Sequence, residues 1–141
     1  MIKVVLDTNI VVSANLSFAG LEALVLRLAL SRSIQMYTSA AILTEYENVL
    51  RRPKFKFPKQ QLETVLQLIG QAGIRLADLP TVAASKDETD NRFLECAEAA
   101  SAGFLITGNI KHFPATWKNT QIVTSKQLLD QIGASLLHST P

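Results

Sequence analysis

Apolar positions along the chain follow two alternating rhythms. Short β-branched or apolar runs at Ile2 to Leu6, Ile34 to Thr38, Phe104 to Thr107 and Ile122 to Val123 have strand character, and Ile74 to Leu76 is a weaker fifth. Between them the spacing lengthens to that of a helix. Leu21, Leu24, Val25 and Leu28 share one helical face, and Ile42, Tyr46, Val49 and Leu50 another. Leu62, Val65, Leu66 and Ile69 follow Pro58, read as a first-turn proline, and the pattern stops near Gly73. Phe93, Leu94, Ala97 and Ala100 form a further face, closed by Gly103 in the place of a C-terminal glycine. A last helix is predicted from Ser125, carrying Leu128, Leu129, Ile132 and Leu136. Strands too apolar to have a wet face, alternating with helices, predict an α/β fold with a parallel sheet covered on both sides. Asp78 to Asp87 is the most loop-like segment.

Composition narrows this picture. A chain of 141 residues, 48% hydrophobic and 18% charged, carries enough apolar material for one core, so residues 1–141 are expected to form one domain. Met1-Ile2-Lys3 passes directly into a strand-like run without the pattern of a signal peptide. The apolar stretch Leu21 to Leu30 is interrupted by Glu22 and Arg27 and is too short to span a bilayer. A soluble, cytoplasmic protein with no membrane partner is therefore expected. Cys96 is the only cysteine, which excludes an internal disulfide and a cysteine-based zinc cage. The net charge of +2 says little, but its distribution says more. Arg51, Arg52, Lys54, Lys56 and Lys59 crowd into RRPKFKFPK with Phe55 and Phe57 interleaved. Cations for phosphates and rings for bases suit single-strand binding. A solvated link whose phenylalanines cap the core is the competing reading.

In open parallel α/β sheets the working crevice lies beyond the carboxyl ends of the strands. Asp7 follows the first strand, Ser39 and then Glu45 follow the second, and Gly108-Asn109 follow the strand ending at Thr107. Asp90 lies in the first turn of the helix before that strand. Three carboxylates brought to one edge repel each other and resist burial unless a cation offsets them. An all-oxygen cluster suits magnesium or manganese rather than zinc, so Asp7 reads as a metal ligand.

The runs LDTNIVVSA, TSAAILTEYENVL, DETDNRFLECAEAASAGFLITGN and KHFP closely resemble a PIN domain, in particular the single-domain VapC-like toxins of toxin-antitoxin pairs. The resemblance covers essentially the whole chain. It implies a three-layer α/β/α fold around a central parallel sheet of four to five strands, and a metal-dependent endoribonuclease acting on single-stranded RNA. It implies Mg2+ or Mn2+ as cofactor, a cognate antitoxin protein that covers the acidic crevice, and a homodimer. Carried over by position, it makes Asp7, Glu45 and Asp90 the acidic catalytic set. Asp7 and Asp90 would hold metal, and Glu45 would bind it directly, through water, or orient the nucleophile. Asp90 is preferred to Asp87 because Phe93, Leu94 and Ala97 follow it as the family's third aspartate requires, which leaves Asp87 as a helix cap. Thr8, Asn9 and Thr107 match supporting positions, while Asn109 or His112 stands where many relatives have a fourth carboxylate.

Each residue also has a plainer reading. Asp7 can be a helix N-cap, Asp90 an acid favoured by the helix dipole, and Glu45 a solvent-facing glutamate. His112 can be a ligand, a proton shuttle or a turn residue, and the turn reading is preferred. Cys96 and His138 read as structural or incidental, and Tyr46 and Trp117 as packing residues with a polar edge. A haloacid-dehalogenase-type phosphatase would need an acid where Asn9 stands, and a receiver domain a late-strand lysine that has no counterpart here. The alternative from a different class is a PIN-fold module that binds RNA or a partner with a weakened or inactive metal site.

Overall fold

The structure, a computed structural model, describes residues 1–139, with side chains described as far as Gly133, so Leu136 and His138 lie outside the described side chains. Strand β1 (Lys3–Leu6) leads into α1 (Thr8–Leu16) and α2 (Leu21–Leu30), followed by β2 (Gln35–Ser39) and α3 (Ala40–Leu50). A 3-10 turn at Pro53–Phe55 joins α3 to α4 (Lys59–Ala72), and β3 (Ile74–Leu76) follows. Beyond the loop come α5 (Glu88–Ala100), β4 (Phe104–Ile106), a 3-10 turn at Ile110–His112, β5 (Thr116–Trp117), β6 (Thr120–Val123) and α6 (Ser125–Ser139).

The strands form one sheet in the order β3-β2-β1-β4-β6-β5. All neighbouring pairs are parallel except β5 with β6. The sheet is therefore one strand wider than expected. Its extra member is a two-residue edge strand, too short for a period-2 signal, whose turn places Lys118 at φ 54°. From β1 the chain builds outward through β2 and β3, and later through β4 and β6 on the other side. The crevice between the ends of β1 and β4 is thus the topological switch point, where open α/β sheets bind their ligands.

The core runs through the middle strands, where Val4, Val5, Leu6, Met36, Leu105 and Ile106 are fully buried. The predicted faces of α3 and α5 are buried as read, and in α4 Leu62, Val65 and Ile69 are buried. In α2 the face is different: Ala23, Val25, Leu26 and Ala29 are buried while Leu21 and Leu24 are exposed. This helix is apolar on nearly every side, so spacing alone does not choose its inner face. Helix α1 carries no period for the same reason, with Ile10, Val11, Val12 and Ala14 all buried.

Two helix ends differ from their sequence reading, and α6 begins at Ser125 as read. Pro58 is the residue before α4 and not its first turn. The left-handed residue closing α5 is Ser101 (φ 51°), and Gly103 does not have a positive φ. Helix α6 is capped by Thr124, whose hydroxyl accepts from Gln127 N–H while Gln127 Oε1 accepts from Thr124 N–H, a reciprocal capping box. Gly73 is required by space: a Cβ there would lie 3.0 Å from the Ile69 carbonyl oxygen and 3.2 Å from Thr38 Cγ2, where α4 meets β2. Among the described residues no single helix is long and apolar enough to cross a membrane.

Candidate functional site

Asp7 stands where β1 ends and α1 begins. Its backbone N–H still bonds across the sheet to the Ile106 carbonyl at 2.9 Å, which fixes the residue at the β1/β4 junction. Its side chain has two jobs. Oδ1 accepts from Thr8 N–H at 2.8 Å, capping α1, and Oδ2 accepts from the Thr107 hydroxyl at 2.7 Å. The N-cap and ligand readings of Asp7 are therefore compatible, because one oxygen serves each end of a carboxylate that also lines a cleft.

Thr107 is fully buried at the end of β4 and organises the opposite wall. Its Oγ1 accepts from Asn109 N–H at 3.0 Å and lies 3.5 Å from Asn9 Nδ2, while Asn9 Oδ1 accepts from Gly108 N–H at 3.0 Å. Asn9 thus holds the turn after β4 against the start of α1. Just beneath, the buried Tyr46 hydroxyl donates to the Leu6 carbonyl, tying α3 to the last residue of β1.

Asp90 enters from the first turn of α5 and, like Asp7, is 8% exposed. Ser85 Oγ lies 3.4 Å from Asp90 Oδ2 and 3.4 Å from the His112 carbonyl oxygen. Asn91 clamps Ser85 in place, accepting its N–H at 2.8 Å and donating to its carbonyl at 3.0 Å. Glu95, buried on the same helix, accepts from Val82 N–H at 3.0 Å. The loop-like segment before α5 is therefore fastened along that helix and forms a wall of the site.

A cleft of about 450 Å³ is lined by Asp7, Thr8, Asn9, Glu45, Asp90 and Asn109 among others. The structure brings together every acid singled out in the sequence, and Asp87 joins them while capping α5 by accepting from Thr89 N–H. Burial pushes the Asp7 carboxyl above its ordinary range, against the lowering effect of the Thr107 and Thr8 bonds, and the charge of Asp87 adds to the rise. Asp90 is pushed up to about 6 by burial, with Asp87 and Asp7 adding to it. Asp7 and Asp90 are both held where the charged form is disfavoured.

The expected three-carboxylate cage is not closed. Among the described residues no three of His, Cys, Asp and Glu stand close enough to hold one ion. The donors nevertheless fit a hard cation that keeps much of its water and takes one or two carboxylates, as magnesium does. Thr8 Oγ1 supports the fit, since it is buried beside Asp7 with no protein hydrogen-bond partner. An ion's hydration shell would supply one.

The basic segment is divided by the fold. Arg52 and Phe55 line the cleft itself. Phe55 and Phe57 stack at 5.6 Å and pack half-buried against the core, and Lys54 lies 5.1 Å from the Phe55 ring. Arg51 pairs with Glu47 and Lys59 with Glu63, and Lys56 occupies the left-handed position after the 3-10 turn. The phenylalanines pack as the solvated-link reading expects, and Arg52 and Phe55 also reach the cleft.

Ser85, Asn91 and Thr89 carried no signal in the sequence, and His112, read as a turn residue, is in the 3-10 turn and also lines the cleft. A second concavity of about 540 Å³ is apolar and is bordered by Phe18, Ala23 and Leu26 on one side and Pro58, Val65 and Leu68 on the other.

The comparisons with known proteins agree with this architecture. An uncharacterized protein of Methanocaldococcus jannaschii is 29% identical over 111 residues, which cover 77% of this chain and 71% of that protein. A chain in the crystal structure of VapBC2 from Rickettsia felis bound to a DNA fragment from their promoter has the same fold, with a TM-score of 0.56 at 20% identity, covering 86% of this chain and 97% of that one. The family profile of the PIN domain, a family of generally nucleolytic proteins that typically use divalent metals, matches residues 3–111. That span includes Asp7, Glu45, Asp90 and Thr107, and the chain belongs to the PIN domain family.

Proposed function

We propose that this protein is a metal-dependent endoribonuclease that cuts single-stranded RNA in the acidic cleft, and that it is the toxin of a toxin-antitoxin pair. One observation carries the reading: Asp7 and Asp90 are buried on the same cleft with both carboxyls pushed upward, beside the unpartnered Thr8 hydroxyl. A cation relieves that cost.

In this reading Asp7 and Asp90 hold Mg2+ or Mn2+, with Glu45 reaching it directly or through water. The bound ion supplies charge neutralisation at the phosphodiester and acidifies water at neutral pH. The chain supplies the positioning. Thr107 and Thr8 N–H fix both oxygens of Asp7, and Ser85 steadies Asp90. Glu45 orients the attacking water. Arg52 meets a backbone phosphate and Phe55 offers a ring to a base, with Lys54, Arg51, Lys56 and Lys59 extending the basic approach. Asn109 adds a neutral oxygen to the hydration shell, so the ion is held less tightly than by four carboxylates.

The apolar groove between α2 and α4 supports an antitoxin partner, since it offers a seat for an apolar segment near the cleft wall formed by α1. The exposed Leu21 and Leu24 support pairing of two copies. The RNA substrate sets the protein in the cytoplasm. A second reading, an RNA- or partner-binding module that does not cut, is favoured by Asn109 alone. Asp7→Asn separates the two: for a nuclease it abolishes cutting while RNA binding by the basic segment persists, measured by cleavage and anisotropy on one RNA. Wild-type protein that binds RNA and never cuts it would establish the second.

A further inference from the structure

Beyond Asp90 the acidic cleft opens into another pocket, of about 500 Å³, lined by Lys86, Lys111 and His112. The two share Asp87, Asp90 and His112, so the floor is continuous. The pocket is built on fastened elements: Ser85 lies between Asp90 and the His112 carbonyl, Asn91 holds Ser85 at both backbone atoms, and the buried Phe113 anchors the end of the turn. Its cations are uncommitted. Arg51, Lys59, Arg92 and Lys126 each pair with a carboxylate, whereas among the described residues Lys86 and Lys111 pair with none. The acidic floor is thus flanked by Arg52 and Phe55 on one side and by two exposed lysines on the other.

We infer that Lys86 and Lys111, with His112, form a phosphate subsite that holds the RNA backbone next to the bond being cut. The inference rests on the nuclease reading above. The strand crosses the acidic floor from the Arg52 flank to the lysine flank, and cations on both sides offset the repulsion between phosphates and the aspartates. Continuity with the acidic floor, where the nuclease reading puts the bond being cut, favours an RNA backbone over an acidic protein segment.

The test uses the full chain carrying Asp7→Asn, so that bound RNA is not consumed. Its affinity for a labelled mixed-sequence single-stranded RNA is measured by anisotropy over a salt series, alone and with Lys86→Ala plus Lys111→Ala. Each phosphate contact on a single strand contributes about 0.7 to the slope of log affinity on log salt, so the double change is expected to flatten it by about 1.4. Lys86→Arg with Lys111→Arg should keep the parent slope, and Lys126→Ala should not alter it. An unchanged slope in the double alanine variant overturns the subsite and leaves the nuclease reading standing. A loss confined to a labelled polyglutamate probe, with RNA binding intact, also overturns it and marks a seat for an acidic protein. Absence of RNA binding by the parent overturns both.

Discussion

The Thr107 hydroxyl donates to Asp7 Oδ2 at 2.7 Å, joining the ends of two adjacent parallel strands across 100 positions of sequence. Thr107 Oγ1 also accepts from the Asn109 N–H, so one buried hydroxyl sets the carboxylate and the turn that faces it. Thr107→Val keeps the shape and removes both bonds. Partners of this kind behind a metal-binding carboxylate are worth about 10–100-fold in metal affinity or activity. The variant should need correspondingly more Mg2+ for half-maximal cleavage, and Thr107→Ser should recover most of the loss.

Burial pushes the Asp90 carboxyl up from its ordinary value of 3.8 to about 6, with the charges of Asp87 and Asp7 adding to the rise. Across that window the folded state holds more of the Asp90 proton than the unfolded state, so the contribution of Asp90 to metal-free stability falls as pH rises from 3.8 to about 6 and changes little above it. Asp7 shifts in the same direction. Asp90→Asn should therefore raise the melting temperature of metal-free protein at pH 7.5 and change it little at pH 4. Mg2+ should stabilise the wild type at pH 7.5 and the variant much less, which calorimetry at the two pH values would show.

Asn91 is fully buried and makes two bonds to the Ser85 backbone, fastening the wall that carries Ser85 to Asp90. Asn91→Ala removes the partners of the part-buried Ser85 N–H and carbonyl, a loss of at most about 1–3 kcal/mol each. Urea unfolding should show the loss, and limited proteolysis should cut within residues 77–87 before the rest of the chain.

Arg52 and Phe55 face the acidic cleft, whereas Arg51 and Lys59 are engaged by Glu47 and Glu63. Arg52→Ala and Phe55→Ala should each weaken RNA binding, by about 1–3 kcal/mol for a lost base stack. Lys59→Ala should lower affinity by less than either. Equal losses for all three, measured by anisotropy at one salt concentration, would return the whole segment to the status of a diffuse basic surface.

How much of this was legible in the sequence depended on the range of the interaction. Asp7 was readable because a parallel sheet delivers the residues after its strands to one edge whatever the intervening loops do, whereas the choice of Asp90 over Asp87 and the part given to Thr107 came from the resemblance to the PIN domain. Tyr46 and Trp117 were readable as packing residues with a polar end, and they bond to the Leu6 carbonyl and to Glu98 respectively. Ser85 and the second role of Asp87 were not, since they depend on the path of a loop that Asn91 and Glu95 fix from another element. Helix α1 escaped notice because burial on most sides erases the 3.6-residue period, and the inner face of α2 was misread for the same reason. The convergence of the acids on one cleft was foreseeable; their failure to close a three-ligand cage was not, because it turns on side-chain distances that strand-end placement does not set.

The account rests on the acidic cleft being a nuclease centre. The most direct measurement is cleavage of an end-labelled single-stranded RNA by purified protein in Mg2+ and in Mn2+, beside a chelator control and Asp7→Asn. The account predicts cutting by the wild type with either metal, and its loss both on chelation and in the variant. Wild-type protein that binds the RNA and leaves it intact under both metals, or an Asp7→Asn variant that cuts as fast as the wild type, would contradict it.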